Sequence, residues 1–129
     1  MKTEYKVNVD DINYGGHMGN DRALTVFHQA RIDFLEQFGY SELNIGEGIG
    51  IILAEANVKY KKEVFLNDVL DVEVELTEVK GLKWTLSYKA TRRSDNAEVF
   101  NGSTIMLSFD YSARKICRIP SGFLEKIGK

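Results

Sequence analysis

The sequence contains a single cysteine, Cys117, and a single proline, Pro120, among its 129 residues. One cysteine can form neither an internal disulfide bond nor a cysteine-based metal site, so we expect Cys117 to be a small buried side chain. No Gly-Lys-Ser/Thr phosphate loop and no dinucleotide-binding glycine pattern follows a predicted strand. The sequence therefore implies no nucleotide or redox cofactor.

The chain also lacks a large excess of charge of either sign. A net charge of −2 and a pI near 5.7 argue against nucleic acid as the main partner, because phosphate binding needs a concentrated basic surface. No apolar run approaches the roughly 18 residues of a membrane span, and no secretory leader is recognisable. We therefore expect no membrane partner and a cytoplasmic location.

The composition is that of one ordinary globular domain over residues 1–129, with 43% hydrophobic and 28% charged residues. Several stretches alternate in polarity or are rich in β-branched residues, which predicts strands. These stretches are residues 4–9, 49–60, 69–79, 84–93 and 99–109. The connections between the last four are short, which favours an antiparallel sheet of about five strands. The alternating acids of the third stretch have no accompanying histidines, so no metal site is predicted.

A helix with a broad apolar face is predicted between the first strand and the others. Asn20 or Asp21 is a suitable N-cap, and Gly39 is the expected end. Apolar residues recur on more than one side, which indicates a helix enclosed on several sides; they include Ala23, Leu24, Val26, Phe27, Ala30, Ile32, Phe34, Leu35 and Phe38. The prediction is an α+β fold in which a long central helix is wrapped by a curved sheet.

A loop dense in glycine and polar residues, residues 13–21, joins the first strand to this helix. Its glycines let backbone N–H groups approach a ligand closely. The helix start that follows offers unpaired N–H donors and a partial positive charge, which can stabilise a developing oxyanion. The loop is therefore the candidate functional site.

The order of strand, glycine-rich loop, long helix and further strands resembles the hotdog fold of the 4-hydroxybenzoyl-CoA and acyl-CoA thioesterase family. The loop of that family has approximately the sequence Asp-x-Asp-x-x-Gly-His-x-Asn-Asn. This chain has Asp11-Ile12-Asn13-Tyr14-Gly15-Gly16-His17-Met18-Gly19-Asn20. The helix also carries the family's Ala-Arg pair as Ala30-Arg31, and Asn67-Asp68-Val69-Leu70 is similar to its Gly-Asp-x-Leu turn.

The resemblance implies hydrolysis of a thioester, most often an acyl-CoA, by a homodimer or homotetramer with active sites between subunits. In the family, the second aspartate of the loop usually attacks the carbonyl or activates water. A backbone N–H at the helix start polarises the thioester oxygen. This chain departs from the pattern, because Asn13 stands at the position of that aspartate and an amide is neither a base nor an effective nucleophile.

Several assignments of the catalytic residues therefore stay open. Asp21 is the first candidate for the base and Asp11 the second, with Asn13 orienting the water or the carbonyl. His17 is a further catalytic candidate because it matches the family's Gly-His pair. A loop that binds a ligand without catalysis is the other interpretation.

Five further residues are candidates for substrate binding. Gly16 is expected to allow close backbone approach, and Asn20 falls on a motif position. His28 lies two turns along the predicted helix, where it could tune the base or contact substrate. Tyr60 is flanked by lysines, and Arg92 ends a later strand. The cationic side chains of these lysines and of Arg92 could bind the phosphates of CoA.

Two alternative functions are compatible with the same fold. A hydratase or dehydratase acting on enoyl-thioesters needs an acid–base pair such as Asp21 and His28, although the His-Phe-Pro-Gly stretch of one dehydratase branch is absent. A non-catalytic acyl-CoA-binding module is the second alternative. In each case Phe27, Phe34 and Phe38 suggest an apolar acyl or aryl pocket, although core packing needs the same residue types.

Overall fold

The strands within residues 1–128 form a single antiparallel sheet. The computed structural model describes residues 1–128, which contain six strands and two α-helices in an α+β arrangement. In chain order these are β1 (Lys2–Lys6), a 3-10 turn (Val9–Asp11), α1 (Arg22–Glu36), β2 (Gly50–Tyr60), β3 (Val69–Lys80), β4 (Lys83–Arg92), β5 (Ala97–Asp110), β6 (Lys115–Cys117) and α2 (Phe123–Ile127).

The strand order is β1-β3-β4-β5-β2, and β6 pairs with the end of β5. The sheet has six strands rather than about five, because β6 contains only three residues and is too short to display alternation. The turn before β6 is closed by the Asp110 carboxylate, which accepts hydrogen bonds from the N–H groups of Ser112 and Ala113. Cys117, at the end of β6, is half-buried rather than fully buried as expected.

The first strand ends at Lys6, earlier than the alternation of residues 4–9 predicts. The side chain of Asn8 accepts a hydrogen bond from the N–H of Asp10, and the Asp11 carboxylate accepts one from the N–H of Asn8, both at 3.0 Å. These bonds form a capping box that starts the 3-10 turn. The chain therefore leaves the sheet before the glycine-rich loop begins.

Helix α1 is the predicted central helix, but it is shorter than expected. It spans 15 residues and ends before Gly39, whose φ of +81° is the left-handed conformation that commonly follows a helix. One face of α1 is buried, whereas Leu24 and Ile32 are 43% and 37% exposed. Enclosure on several sides is therefore not found in the single chain, whose sheet covers only one side of the helix.

The core lies between α1 and the inner face of the sheet. Phe27 stacks on Tyr88 of β4 with ring centroids 4.4 Å apart, and it packs against Phe100 of β5 at 5.7 Å. Gly102 makes room for this ring, because a Cβ there would lie 2.8 Å from Phe27 and 2.1 Å from the backbone oxygen of Asn57. These contacts fix the first half of α1 against β4 and β5, and thereby position the loop that precedes the helix.

A short second helix, α2, covers another part of the core. Phe123 of α2 packs against Trp84 at 4.9 Å and against Tyr40 at 5.2 Å.

In residues 1–128 no helix has the length and apolar composition needed to cross a membrane.

Candidate active site

A tight turn in the loop of residues 13–21 brings two of the predicted catalytic residues together. The N–H of Asn13 donates to the carbonyl of His17 at 3.0 Å, while the Asn13 side-chain oxygen accepts from the N–H of Gly15 at 2.8 Å. A Cβ on Gly15 would lie 3.1 Å from that oxygen and 3.4 Å from Nε2 of His17. Gly16, with φ of +86°, supplies the left-handed residue of the turn.

The Asp21 carboxylate lies over the same loop. Asp21 is the N-cap residue of α1, yet its side chain makes no capping hydrogen bond and forms no ion pair with residues 1–128. A Cβ on Gly19 would lie 2.7 Å from Oδ1 of Asp21 and 3.8 Å from Cβ of Asn13. The carboxylate of Asp21 and the side chain of Asn13 therefore flank Gly19. The Asp21 carboxylate therefore lies close to Asn13, the position at which the resemblance places the family's aspartate.

A cleft of about 250 Å³ opens beside the loop. Its floor consists of three buried apolar residues, Met18, Val64 and Phe100. The more exposed residues around the cleft are His17, Asn20, Tyr60, Lys61, Lys62 and Glu63. The three predicted pocket aromatics of α1, Phe27, Phe34 and Phe38, do not line this cleft.

Two hydrogen bonds join the loop to the end of β2 and the segment after it. The Tyr60 hydroxyl donates to the backbone carbonyl of Asn20, and the N–H of Met18 donates to the carbonyl of Val64 at 2.7 Å. Burial raises the pKa of the Tyr60 phenol, and the negative charge of Asp21 raises it further. Tyr60 therefore keeps its proton at neutral pH, and the Asp21 charge is close enough to act on a group that lines the cleft.

The start of α1 offers backbone donors next to this carboxylate. The N–H of Arg22 donates to the carbonyl of Gly19 at 3.0 Å, whereas the N–H groups of Asn20 and Asp21 make no hydrogen bond with any residue in 1–128. Free N–H groups at a helix start can bind an anionic oxygen, so this arrangement fits the oxyanion role that the resemblance implies.

His17 lies half-exposed at the cleft. Its Nδ1 is 3.2 Å from the carbonyl oxygen of Met18, a contact that requires a proton on Nδ1. In the neutral ring Nε2 is then an acceptor, on the side of the loop where the Asn13 amide lies. His17 can therefore accept a hydrogen bond from a substrate or a water in the cleft.

Asp11, the second candidate for the base, has a structural role instead. Its carboxylate is 1% exposed and accepts hydrogen bonds from the Tyr5 hydroxyl, the N–H of Asn8 and Nε of Arg22, at 2.9 to 3.0 Å. Burial raises the pKa of Tyr5, and the hydrogen bond to Asp11 raises it further. A carboxylate enclosed by three donors joins β1, the 3-10 turn and α1, and it is not accessible to substrate.

His28 does not line this cleft and is hydrogen-bonded elsewhere in the chain. Its Nε2 donates to Glu42 at 2.7 Å, and Glu42 also accepts from Nε of the buried Arg31 at 2.9 Å. Burial alone would raise the pKa of Glu42, but the hydrogen bonds from Arg31 and His28 outweigh it and lower that pKa. His28 is therefore part of an ion-pair cluster that holds the segment after α1. Asp21 and His28 do not form the acid–base pair that the hydratase alternative requires.

Arg92 is likewise committed to protein contacts. Its Nε and one terminal nitrogen form a two-point ion pair with Asp95, at 3.0 and 2.9 Å, and its other terminal nitrogen donates to the carbonyl of Glu63 at 2.8 Å. Arg92 thus supports the rim of the cleft through the backbone of Glu63, and its charge is paired with Asp95 instead of being presented to a phosphate. Gly16 is exposed and does not line the cleft, and neither do Asn13 and Asp21, which lie beside the cleft in the same loop.

Sequence reasoning missed the floor of the cleft. Val64 and Phe100 are buried residues whose pattern cannot be told from that of core residues, and only the pairing of Tyr60 with Phe100 across β2 and β5 brings them to the site. In the sequence, Lys62 is one of several charges near Tyr60 and nothing distinguishes it from the others. In residues 1–128 there is no cluster of three acidic, histidine or cysteine side chains able to hold a metal ion.

Comparison with known proteins shows the fold. A hypothetical protein from Aquifex aeolicus superimposes with a TM-score of 0.88 at 24% identity, over 98% of both chains. A 1,4-dihydroxy-2-naphthoyl-CoA thioesterase from Synechocystis superimposes with a TM-score of 0.87 at 19% identity, over 98% of this chain and 93% of that one. The architecture is that of the hotdog-fold thioesterases.

The sequence places the chain within this class. The family model of the thioesterase-like superfamily matches residues 7–127, and the chain belongs to that superfamily. The long-chain acyl-CoA thioesterase FadM of Escherichia coli is 23% identical over 127 residues, which are 98% of this chain and 96% of that protein. The expected family and its hotdog fold are confirmed, and the class of enzyme that this membership indicates is a thioester hydrolase.

Proposed function

We propose that the protein hydrolyses the thioester bond of an acyl-CoA in the cleft beside residues 13–21. The observation that carries this proposal is the position of the Asp21 carboxylate. It flanks Gly19 together with Asn13, adjacent to free N–H groups at the start of α1. A base and an oxyanion donor within one loop are the two groups that thioester hydrolysis by water requires.

Each group then has a defined task. Asp21 takes a proton from a water whose oxygen bonds to the thioester carbon. The N–H groups of Asn20 and Asp21 stabilise the negative oxygen of the tetrahedral intermediate. The C–S bond breaks, the CoA sulfur takes up the proton, and the acid and free thiol leave. Asn13 and Nε2 of His17 orient the water and the acyl carbonyl, because His17 lines the cleft and a Cβ on Gly15 would lie 3.4 Å from its Nε2 and 3.1 Å from the Asn13 side-chain oxygen.

The rim of the cleft supplies positive charge for the phosphates of CoA. Lys62 lines the cleft without a carboxylate within 4.0 Å among residues 1–128, whereas Lys61 is 3.5 Å from Glu98. An ammonium group of this kind binds phosphate as a point charge. We propose that Lys62, rather than Arg92, contacts the nucleotide end of the substrate.

Incubation with a panel of acyl-CoAs tests the function, and we expect release of free thiol in equal amount to the acid. Crotonyl-CoA should be included, because a hydratase would remove its double bond without releasing thiol. Loss of the double bond alone would contradict the proposal in favour of the hydratase. Saturable binding without any reaction would contradict it in favour of a binding module.

We further propose that two copies associate through β2. One edge of this strand pairs with β5, while its other edge has no partner strand in residues 1–128. The N–H of Ile51 donates to the carbonyl of Glu42 and the Ile51 carbonyl accepts from the Tyr111 hydroxyl, but the rest of this edge presents N–H and C=O groups to another chain, and Leu53 on this strand is 50% exposed. A two-fold pairing of β2 strands satisfies these groups. Because Tyr60 at the end of β2 lines the cleft, the second copy would lie beside the active site.

Replacing Leu53 by glutamate should disrupt this assembly. The change puts a charge into the apolar part of the proposed interface on both copies, and we expect it to weaken association by at least about 2 kcal/mol. Sedimentation velocity across a concentration series measures the effect. Leu82→Glu is the matched control, because Leu82 is 45% exposed in the turn between β3 and β4, away from β2. A monomeric wild type, or equal effects of both substitutions, would contradict the proposed interface.

A further inference from the structure

We infer that the cleft accepts acyl groups of the size of a short chain or a single aromatic ring, and that Phe100 sets this limit. The inference rests on the proposed function, because it assigns a substrate class to the same cleft. Phe100 is 1% exposed and forms the floor of the cleft together with Met18 and Val64. An acyl group that enters between His17 and Tyr60 therefore meets these three buried apolar side chains.

The floor at Phe100 is backed by further packed rings. Phe27 lies behind Phe100 at 5.7 Å, and Tyr88 stacks on Phe27 at 4.4 Å. The Tyr88 hydroxyl is held by hydrogen bonds with Arg31 at 3.2 Å and with Thr104 at 2.6 Å. Movement of Phe100 into the core would require displacement of this anchored stack. The floor is therefore a fixed stop in a densely packed interior.

The backbone of β5 leaves no alternative space for Phe27. A Cβ on Gly102 would already lie 2.8 Å from the Phe27 ring, so this ring is in close contact with the strand. The rings of Phe27 and Phe100 therefore cannot both move toward the sheet to lengthen the cleft. A second copy placed against β2 can add walls around the cleft, but it cannot deepen a floor that belongs to the core of this chain.

The volume of the cleft agrees with a compact acyl group. About 250 Å³ is less than the roughly 300 to 1,000 Å³ of pockets that enclose drug-sized ligands. A chain of twelve or more carbons would leave its end outside the apolar floor.

The experiment compares kcat/KM for hexanoyl-, benzoyl- and dodecanoyl-CoA within each protein, because such a ratio does not depend on the folded fraction. We expect wild type to prefer the hexanoyl or benzoyl substrate over dodecanoyl by at least about tenfold. Phe100→Ala should shift the dodecanoyl-to-hexanoyl ratio upward by at least about tenfold. Phe100→Leu, a milder change that keeps the core filled, should shift it in the same direction.

Phe34→Ala is the matched control. Phe34 is 3% exposed on α1 and packs against Phe38 at 5.3 Å, and it does not line the cleft. Its removal should leave the ratio unchanged. A wild type that prefers dodecanoyl-CoA, or a ratio that neither Phe100 variant moves, would overturn the size limit while leaving thioester hydrolysis intact. Hydrolysis of none of the three substrates would overturn the proposed function, and the size limit with it.

Discussion

Replacing Asp21 by asparagine is expected to lower kcat for acyl-CoA hydrolysis by about 10²- to 10⁴-fold while the protein stays folded. This range is the usual contribution of a positioned general base. The amide keeps the size of the side chain but cannot take a proton from water. Because the Asp21 side chain makes no capping hydrogen bond, its replacement should cost the helix little free energy. Initial rates of thiol release, with the unfolding midpoint as a check, measure both effects.

Two further variants make this result specific to Asp21. Glu36→Gln removes an exposed carboxylate from the last residue of α1, at the opposite end of the helix, and should leave kcat unchanged. His17→Gln removes the free ring nitrogen beside the cleft and should raise KM more than it lowers kcat. If His17→Gln abolished turnover while Asp21→Asn retained it, the base would be His17 and the assignment of Asp21 would be wrong.

Replacing Asp11 by alanine is expected to lower the free energy of unfolding by about 3 kcal/mol. The carboxylate is buried and accepts hydrogen bonds from the Tyr5 hydroxyl, the N–H of Asn8 and the guanidinium of Arg22. Its removal leaves these donors without their partner and opens a small cavity where β1, the 3-10 turn and α1 meet. Urea-induced unfolding of the two proteins measures the difference.

Asp10→Ala is the control for this prediction. Asp10 is the exposed neighbour of Asp11 in the same 3-10 turn, and the same substitution there should change the free energy of unfolding by less than about 0.5 kcal/mol. Equal losses for the two variants would mean that the buried hydrogen bonds contribute nothing specific. A folded Asp11→Ala protein of wild-type stability that has lost all turnover would contradict the structural role of Asp11.

The sheet is the part of the fold that sequence patterning predicts well, because alternation reports which side chains face the core. In β3, Leu70, Val72 and Val74 are fully buried, while Asp71 and Glu73 between them face outward. The same argument fails where local hydrogen bonds compete with the sheet. The capping box that Asn8 forms with Asp11 ends β1 early, although the apolar alternation continues to residue 9.

The sequence also predicts the location of the candidate site, since glycines before a helix start indicate close backbone approach. The roles of the individual acids, Asp11 and Asp21, could not be predicted, because they depend on partners that are distant in sequence. Asp11 and Asp21 are equivalent by composition, and only the contacts of Asp11 with Tyr5 and Arg22 separate the structural acid from the free one. Helical spacing suggests that His28 acts together with Asp21, but the hydrogen-bond partner of its ring in this chain is Glu42, 14 residues later.

The central claim of this account is that Asp21 supplies the carboxylate that Asn13 lacks. Thiol release by the double variant Asn13→Asp/Asp21→Asn tests it most directly, because both side chains flank Gly19 and the double variant exchanges their chemistry. We predict that Asp21→Asn alone loses at least about 100-fold in kcat, and that the added Asn13→Asp change restores at least about tenfold of that loss. Undiminished kcat in Asp21→Asn would contradict the claim.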